Sequence, residues 1–172
     1  MTKYREAAFR YAFPSGWKVV RLQEDEFYRR QFQGFNGGSK EVDFAALDAE
    51  ASCLWLVEAK DYGLHPRSKP GDVIEEVASK VRDSLACIEA MKISAGSNSD
   101  SRSAAETLSK AQSCRVAFHL ELPATESLAF SRIDVADMKI KLRSLMRAID
   151  KAALVGDFIH ITENTPITIS RT

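Results

Sequence analysis

The chain has 172 residues, enough for one domain (residues 1–172) around a single core. Apolar residues make up 45% and charged residues 28%, the balance of a soluble globular protein, and no apolar run approaches the roughly 20 residues that span a bilayer. The net charge is zero, which counts against tight non-specific binding to nucleic acid unless positive charge gathers on one side. The first residues, Met1-Thr2-Lys3-Tyr4-Arg5-Glu6, lack the apolar centre of a signal peptide. Cys53, Cys87 and Cys114 are odd in number and carry no metal-ligand spacing. These features predict a cytoplasmic protein with reduced thiols and no membrane association.

In chain order, residues 3–11 read as a short helix, stopped by Phe13-Pro14-Ser15-Gly16. Residues 17–22 alternate as a strand. Residues 23–32 read either as a helix opened by Glu24-Asp25-Glu26 or as a continuation of that strand. A glycine-rich turn, 34–39, leads into two runs suited to a pleated, half-buried surface, 42–48 and 54–60. The small polar residues between them predict a β-hairpin. In the second strand Glu58 and Lys60 share a face with Leu54 and Leu56, while Trp55, Val57 and Ala59 point the other way. Apolar residues on both faces predict a central strand covered on both sides. A carboxylate and an ammonium at the end of such a strand are costly to bury without partners or a task. Asp43, on the neighbouring strand, is the expected companion.

Residues 61–71 read as an irregular loop holding His65, Arg67 and Lys69. Asp72 is a good N-cap for a helix reaching about Ile93, with Val73, Val77, Val81, Leu85, Ile88 and Met91 as its buried stripe and Lys80 and Arg82 a turn or two in. Residues 95–102 are small and polar and predict a mobile loop, with one or two helical turns over 104–112. Residues 114–122 form the next strand, with Val116, Phe118, Leu120 and Leu122 on an apolar face and Ala117, His119 and Glu121 on a mixed one. A final long helix starts at Ser131 or Asp134; its core side is Val135, Met138, Leu142, Leu145 and Ile149, and Lys139, Lys141, Arg143, Arg147 and Lys151 line the rest. That basic face is either solvated or a contact for a DNA backbone. Residues 157–161 and 167–169 close the chain as short strands.

Two acids and a lysine converging on one strand end suit phosphate chemistry. Hard divalent cations such as Mg²⁺ take oxygen ligands and few protein carboxylates. A metal held by Asp43 and Glu58 would lower the pKa of a bound water and neutralise charge on a phosphate, and Lys60 would orient that water or steady the transition state. The sequence holds no phosphate-binding glycine loop, zinc spacing, nucleophile elbow or internal repeat.

Asp43, followed fifteen positions later by Glu58-Ala59-Lys60, resembles the D…ExK signature of the PD-(D/E)XK, or restriction-endonuclease-like, superfamily. Val42 stands where the name-giving proline would be. The predicted order of elements, with a helix crossing over after the ExK strand, is similar to that superfamily's core along most of the chain. The resemblance implies an α/β fold, a mixed central sheet flanked by helices, and a metal-dependent nuclease. Asp43 and Glu58 would hold Mg²⁺ or Mn²⁺ with the backbone carbonyl of Ala59, and Lys60 would assist the water. In the superfamily an acid from an early element sometimes completes the metal site, and here it would be Glu6 or Glu26. Lys80 would be the extra polar residue from the following helix, and Lys40, Arg67 and Lys69 would join it in contacting substrate. DNA is the substrate by family majority. The chain has no separate recognition module, so a homodimer or a partner protein would supply specificity. The alternatives are a catalytically silent nuclease-fold subunit of a larger DNA-processing or defence complex, and an interaction domain in which the ExK triplet is an exposed ion pair.

Overall fold

A computed structural model describes residues 1–63, 71–123 and 134–172. Its strands are β1 (Thr2–Glu6), β2 (Phe9–Phe13), β3 (Lys18–Val20), β4 (Phe44–Asp48), β5 (Cys53–Asp61), β6 (Ser113–Glu121), β7 (Leu154–Gly156) and β8 (Thr168–Arg171); its helices are α1 (Val73–Ile93), α2 (Ser99–Leu108), α3 (Val135–Leu145) and α4 (Phe158–Asn164). The fold is mixed α/β. A five-stranded sheet runs in the order β3-β4-β5-β6-β7, and a three-stranded antiparallel sheet in the order β1-β2-β8. The first three strands of the larger sheet are antiparallel, whereas β5, β6 and β7 are parallel. Parallel neighbours need a crossover, which α1 and α2 supply between β5 and β6.

The β4–β5 hairpin forms as its alternation predicts. Asp48 fixes the turn, its Oδ1 accepting from the backbone N–H groups of Glu50 at 3.1 Å and Ala51 at 3.2 Å. That sets Asp48 opposite Cys53 and Phe44 opposite Val57. One face of β5, through Leu54 and Leu56, packs on α1, α2 and α3; the other, through Trp55 and Val57, packs against β2, β8 and α4. Leu56 and Val57 are fully buried, each worth about 1.5–3 kcal/mol relative to exposure. Among the described residues, no helix is long and apolar enough to cross a membrane.

Helix α1 also follows its pattern: Asp72 caps it by accepting from Ile74 N–H at 2.7 Å, and Val73, Val77, Val81, Ile88 and Met91 are buried. Several other segments differ from expectation. Residues 3–11 are not helical but supply the β1–β2 hairpin, which turns at Ala7 with φ +51°. Residues 23–32 hold a 3₁₀ turn at the start and a π-helical turn, Tyr28–Phe32, at the end. The polar run 95–102 is not all loop: Asn98 caps α2, accepting from Ser101 N–H at 2.8 Å, and Ser101, Ala105 and Leu108 form a narrow buried stripe. Residues 158–164 form α4 rather than a strand, because Asp157 accepts from His160 N–H at 2.8 Å and starts a helical turn.

The last long helix is shorter than its basic pattern suggests. It starts after Asp134, ends at Leu145 and fully buries Leu142, while Leu145 is exposed. Its basic row is partly consumed within the fold. Lys141 Nζ bridges Asp72 and Glu75 at 2.6 and 2.8 Å, and Arg143 Nε donates to Ala153 O at 3.1 Å.

Candidate functional site

Past Val57, β5 loses its β4 partner but keeps β6, with which it pairs as far as Asp61. The open side of the strand falls at Glu58, Ala59 and Lys60. Asp43 sits one residue before β4 and completes the ladder with a side chain: its Oδ2 accepts from Ala59 N–H at 2.7 Å. The preceding segment is pinned to α1. Lys40 N–H donates to Asp83 Oδ2 at 3.2 Å, and Val42 N–H donates to the buried Ser84 Oγ at 3.0 Å. A proline at position 42 has no N–H to make that bond, so valine here has its own structural reason.

Glu58 is 1% exposed. Its Oε1 receives both Lys60 Nζ at 2.6 Å and Lys80 Nζ at 2.7 Å, the latter reaching in from the third turn of α1. Its Oε2 is buried and has no hydrogen-bond partner among the described residues. Burial and the neighbouring Asp43 push the Glu58 carboxyl up to about 7, against the opposing pull of Lys80 and Lys60. Burial works against a charged Lys60, but Glu58, the hydrogen bond to it and Asp43 together hold the ammonium above the usual lysine range.

Glu6, at the end of β1, is half-buried beside this cluster. Burial raises its carboxyl, Asp43 adds to the rise, and Arg21, Lys60 and Lys80 oppose it. It is ion-paired with Arg21, whose guanidinium lies 5.5 Å from the centre of the Phe44 ring. Glu26 is engaged elsewhere, with Arg30 at 2.8 Å and Asn98 Nδ2 at 3.0 Å. Of the two acids left open by the sequence, Glu6 is therefore the one beside the candidate site. The side chain of Lys40 is exposed. His65, Arg67 and Lys69 lie outside the described residues.

A second polar network was not foreseen. On the far face of β6, His119 is 1% exposed and stands in register with Ala59. Its Nε2 donates to Glu121 Oε1 at 3.0 Å, which leaves Nδ1 to accept from the Tyr11 hydroxyl of β2. Glu121 also accepts from Phe158 N–H at 2.9 Å and from Arg171 Nη2 at 3.1 Å. Burial lowers the His119 pKa, and the bond to Glu121 only partly offsets this. A histidine and a glutamate two apart in a strand was the available signal, but its meaning depends on a sheet assembled from both chain ends.

A cavity of about 510 Å³ opens at the ends of β6 and β7, lined by Glu121, Lys139, Gly156 and His160 among others, and none of Asp43, Glu58 and Lys60 lines it. Among the described residues, no three His, Cys, Asp or Glu side chains group as a metal cluster. The donors on hand are therefore two carboxylates, Asp43 and Glu58, with Glu6 near by. That set fits a hard cation that keeps most of its waters, and the partnerless Glu58 Oε2 is the coordinating atom such an ion would need. Cys53, Cys87 and Cys114 are free thiols, and burial pushes Cys87 and Cys114 up to about 12. No protein-family model, curated protein or solved structure matches the chain.

Proposed function

We propose that this protein is a metal-dependent nuclease of the PD-(D/E)XK type, acting on DNA phosphodiester bonds from the open side of β5. The observation that carries the reading is the buried, unpartnered Glu58 Oε2 beside Asp43, with Lys60 and Lys80 on the same carboxylate. A buried carboxylate oxygen left without a partner costs about 1–3 kcal/mol or more, which a fold does not retain cheaply without a use for the atom. Topology supports the same reading: an antiparallel run β3-β4-β5 carries the acids, and a helical crossover leads to the parallel β6.

Asp43, Glu58 and the backbone carbonyl of Ala59 would hold Mg²⁺ or Mn²⁺, which when bound would supply Lewis-acid activation of water and neutralise phosphate charge. Asp43 is oriented for this by Ala59 N–H and by the pinned 40–42 segment. Lys60 stays protonated through neutral pH and places a positive point charge where a phosphate oxygen or the attacking water would sit. Glu6 and Arg21 form the flank of the site and fix its charge balance. DNA as substrate, and a homodimer or partner protein as the source of specificity, follow from the resemblance.

One observation favours the second reading, a silent nuclease-fold subunit. Lys60 and Lys80 already neutralise Glu58, and the basic residues Lys141 and Arg143 are used inside the fold. Titration with Mn²⁺ by calorimetry, followed by cleavage assays on plasmid, linear and single-stranded DNA, separates the readings. Asp43-dependent metal binding with cleavage supports the nuclease; metal binding without cleavage of any DNA supports the silent subunit. No metal binding rejects the nuclease and leaves the silent subunit, whose Glu58 the two lysines already neutralise.

A further inference from the structure

The site has a feature that a metal-binding role alone does not explain: two ammonium groups converge on one oxygen of a carboxylate that is 1% exposed. Lys60 arrives from the same strand face two residues on, and its charge is also felt by Asp43 and Glu76. Lys80 arrives from α1, a different element, and its side chain is 12% exposed. Its four-carbon stem gives the ammonium a route to solvent without moving the helix. A divalent cation at Glu58 Oε2 and Asp43 would lie within a few ångströms of both ammonium groups, and like charges repel strongly in so buried a setting.

We propose, building on the metal-site reading above, that Lys80 is a built-in counter-ion that competes with the divalent cation for Glu58. In the metal-free protein it neutralises the acidic pair and keeps the buried carboxylate tolerable. Metal uptake requires the Lys80 ammonium to withdraw from Glu58 Oε1, so metal affinity is set low by this chain's own residue. An anionic phosphate at the site gives the displaced ammonium a partner, so metal and phosphodiester enter as a set. Lys60 remains on Glu58 in both states.

The test is Mn²⁺ binding to the full chain, read by calorimetry and by the electron paramagnetic resonance signal of free Mn²⁺. Wild type is compared with Lys80→Met, Lys80→Gln and Asp43→Asn, and each variant's fold is checked by its thermal melt. Removing the competitor is expected to tighten Mn²⁺ binding about tenfold or more in both Lys80 variants, as expected for loss of a charged contact. The Asp43→Asn change should abolish binding. The glutamine variant keeps a polar side chain at the position should methionine impair folding. Equal or weaker binding in folded Lys80 variants, with Asp43-dependent binding in wild type, overturns the competition and leaves the metal site standing. Absence of Mn²⁺ binding in wild type and in both folded Lys80 variants overturns the metal site and the competition together.

Discussion

Two buried carboxylates stand on adjacent strands, and their surroundings differ in kind. Glu121, 6% exposed, has its oxygens shared among His119, the Phe158 N–H and Arg171, and through His119 it reaches Tyr11. Glu58, 1% exposed, has two lysines crowded on one oxygen and, among the described residues, no partner on the other. A fully satisfied network locks elements together, here the small sheet and α4 against β6. A half-satisfied carboxylate does less to lock elements together. The contrast sets a fully satisfied structural clamp apart from the carboxylate on which the proposed site rests.

The largest effect that would test this contrast is on stability. Glu121→Ala leaves His119, Arg171 and a backbone N–H without their acceptor, and it should cost about 3–5 kcal/mol in urea unfolding. Glu58→Gln keeps an oxygen facing the lysines and removes a charge whose burial pushes its carboxyl up to about 7, so it should cost less than Glu121→Ala at pH 8. Equal costs for the two changes would erase the distinction.

Next comes pH, where the two clusters respond with opposite sign. The folded His119 pKa lies below the ordinary 6.5, so on acidification the unfolded chain takes the proton first. Its stabilising contribution is complete above pH 6.5 and is lost as pH falls through the depressed folded value. The folded Glu58 pKa is pushed from 4.5 up to about 7, so the folded chain keeps a proton that the unfolded chain releases. That contribution is complete below pH 4.5 and is lost as pH rises through about 7. Glu58→Gln removes the second dependence. Relative to wild type, the variant should gain on the order of 1–3 kcal/mol of stability between pH 5 and pH 8. A stability difference that stays constant across that range would mean Glu58 is ionised throughout.

A smaller effect concerns Val42, which stands where the proposed PD-(D/E)XK reading would have a proline. Val42→Pro deletes the N–H that Ser84 Oγ accepts in a buried setting. It should cost about 1–3 kcal/mol and, on the proposed function, slow cleavage by loosening Asp43, although it introduces the proline that names the resembled superfamily. An unchanged unfolding midpoint would show that the pinning of residues 40–42 to α1 is dispensable.

What could be read from the sequence follows from how local the signals were. The β4–β5 hairpin and α1 came through because strand alternation, a turn aspartate and an N-cap all lie within the segments they shape. Asp43, Glu58 and Lys60 are brought together because β4 and β5 are neighbours joined by a short turn. The early strands were hidden because Tyr4-Arg5-Glu6-Ala7-Ala8 contains good helix formers, and pairing with β8 from the far end of the chain overrides that preference. The start of helix α2 was hidden by serines and an asparagine that suit loops equally well, while its second half falls within the turns expected over 104–112. The alternating Ile159 and Ile161 imitated a strand that the Asp157 cap turns into α4. The choice between Glu6 and Glu26 needed the β1–β2 hairpin, and the His119–Tyr11–Glu121 clamp needed the whole second sheet. Neither is local, so neither could be read ahead of the fold.

The most direct test of the central claim is plasmid cleavage in Mg²⁺ or Mn²⁺ by wild type, Asp43→Ala and Lys60→Ala, with unfolding midpoints measured alongside. We expect metal-dependent cutting that each change lowers by about 10²–10³-fold or more while the fold persists, and that chelation of the metal abolishes. Cutting that survives both changes, or a wild-type protein that neither cuts DNA nor binds Mn²⁺, would contradict the assignment of the Glu58 cluster as a nuclease site.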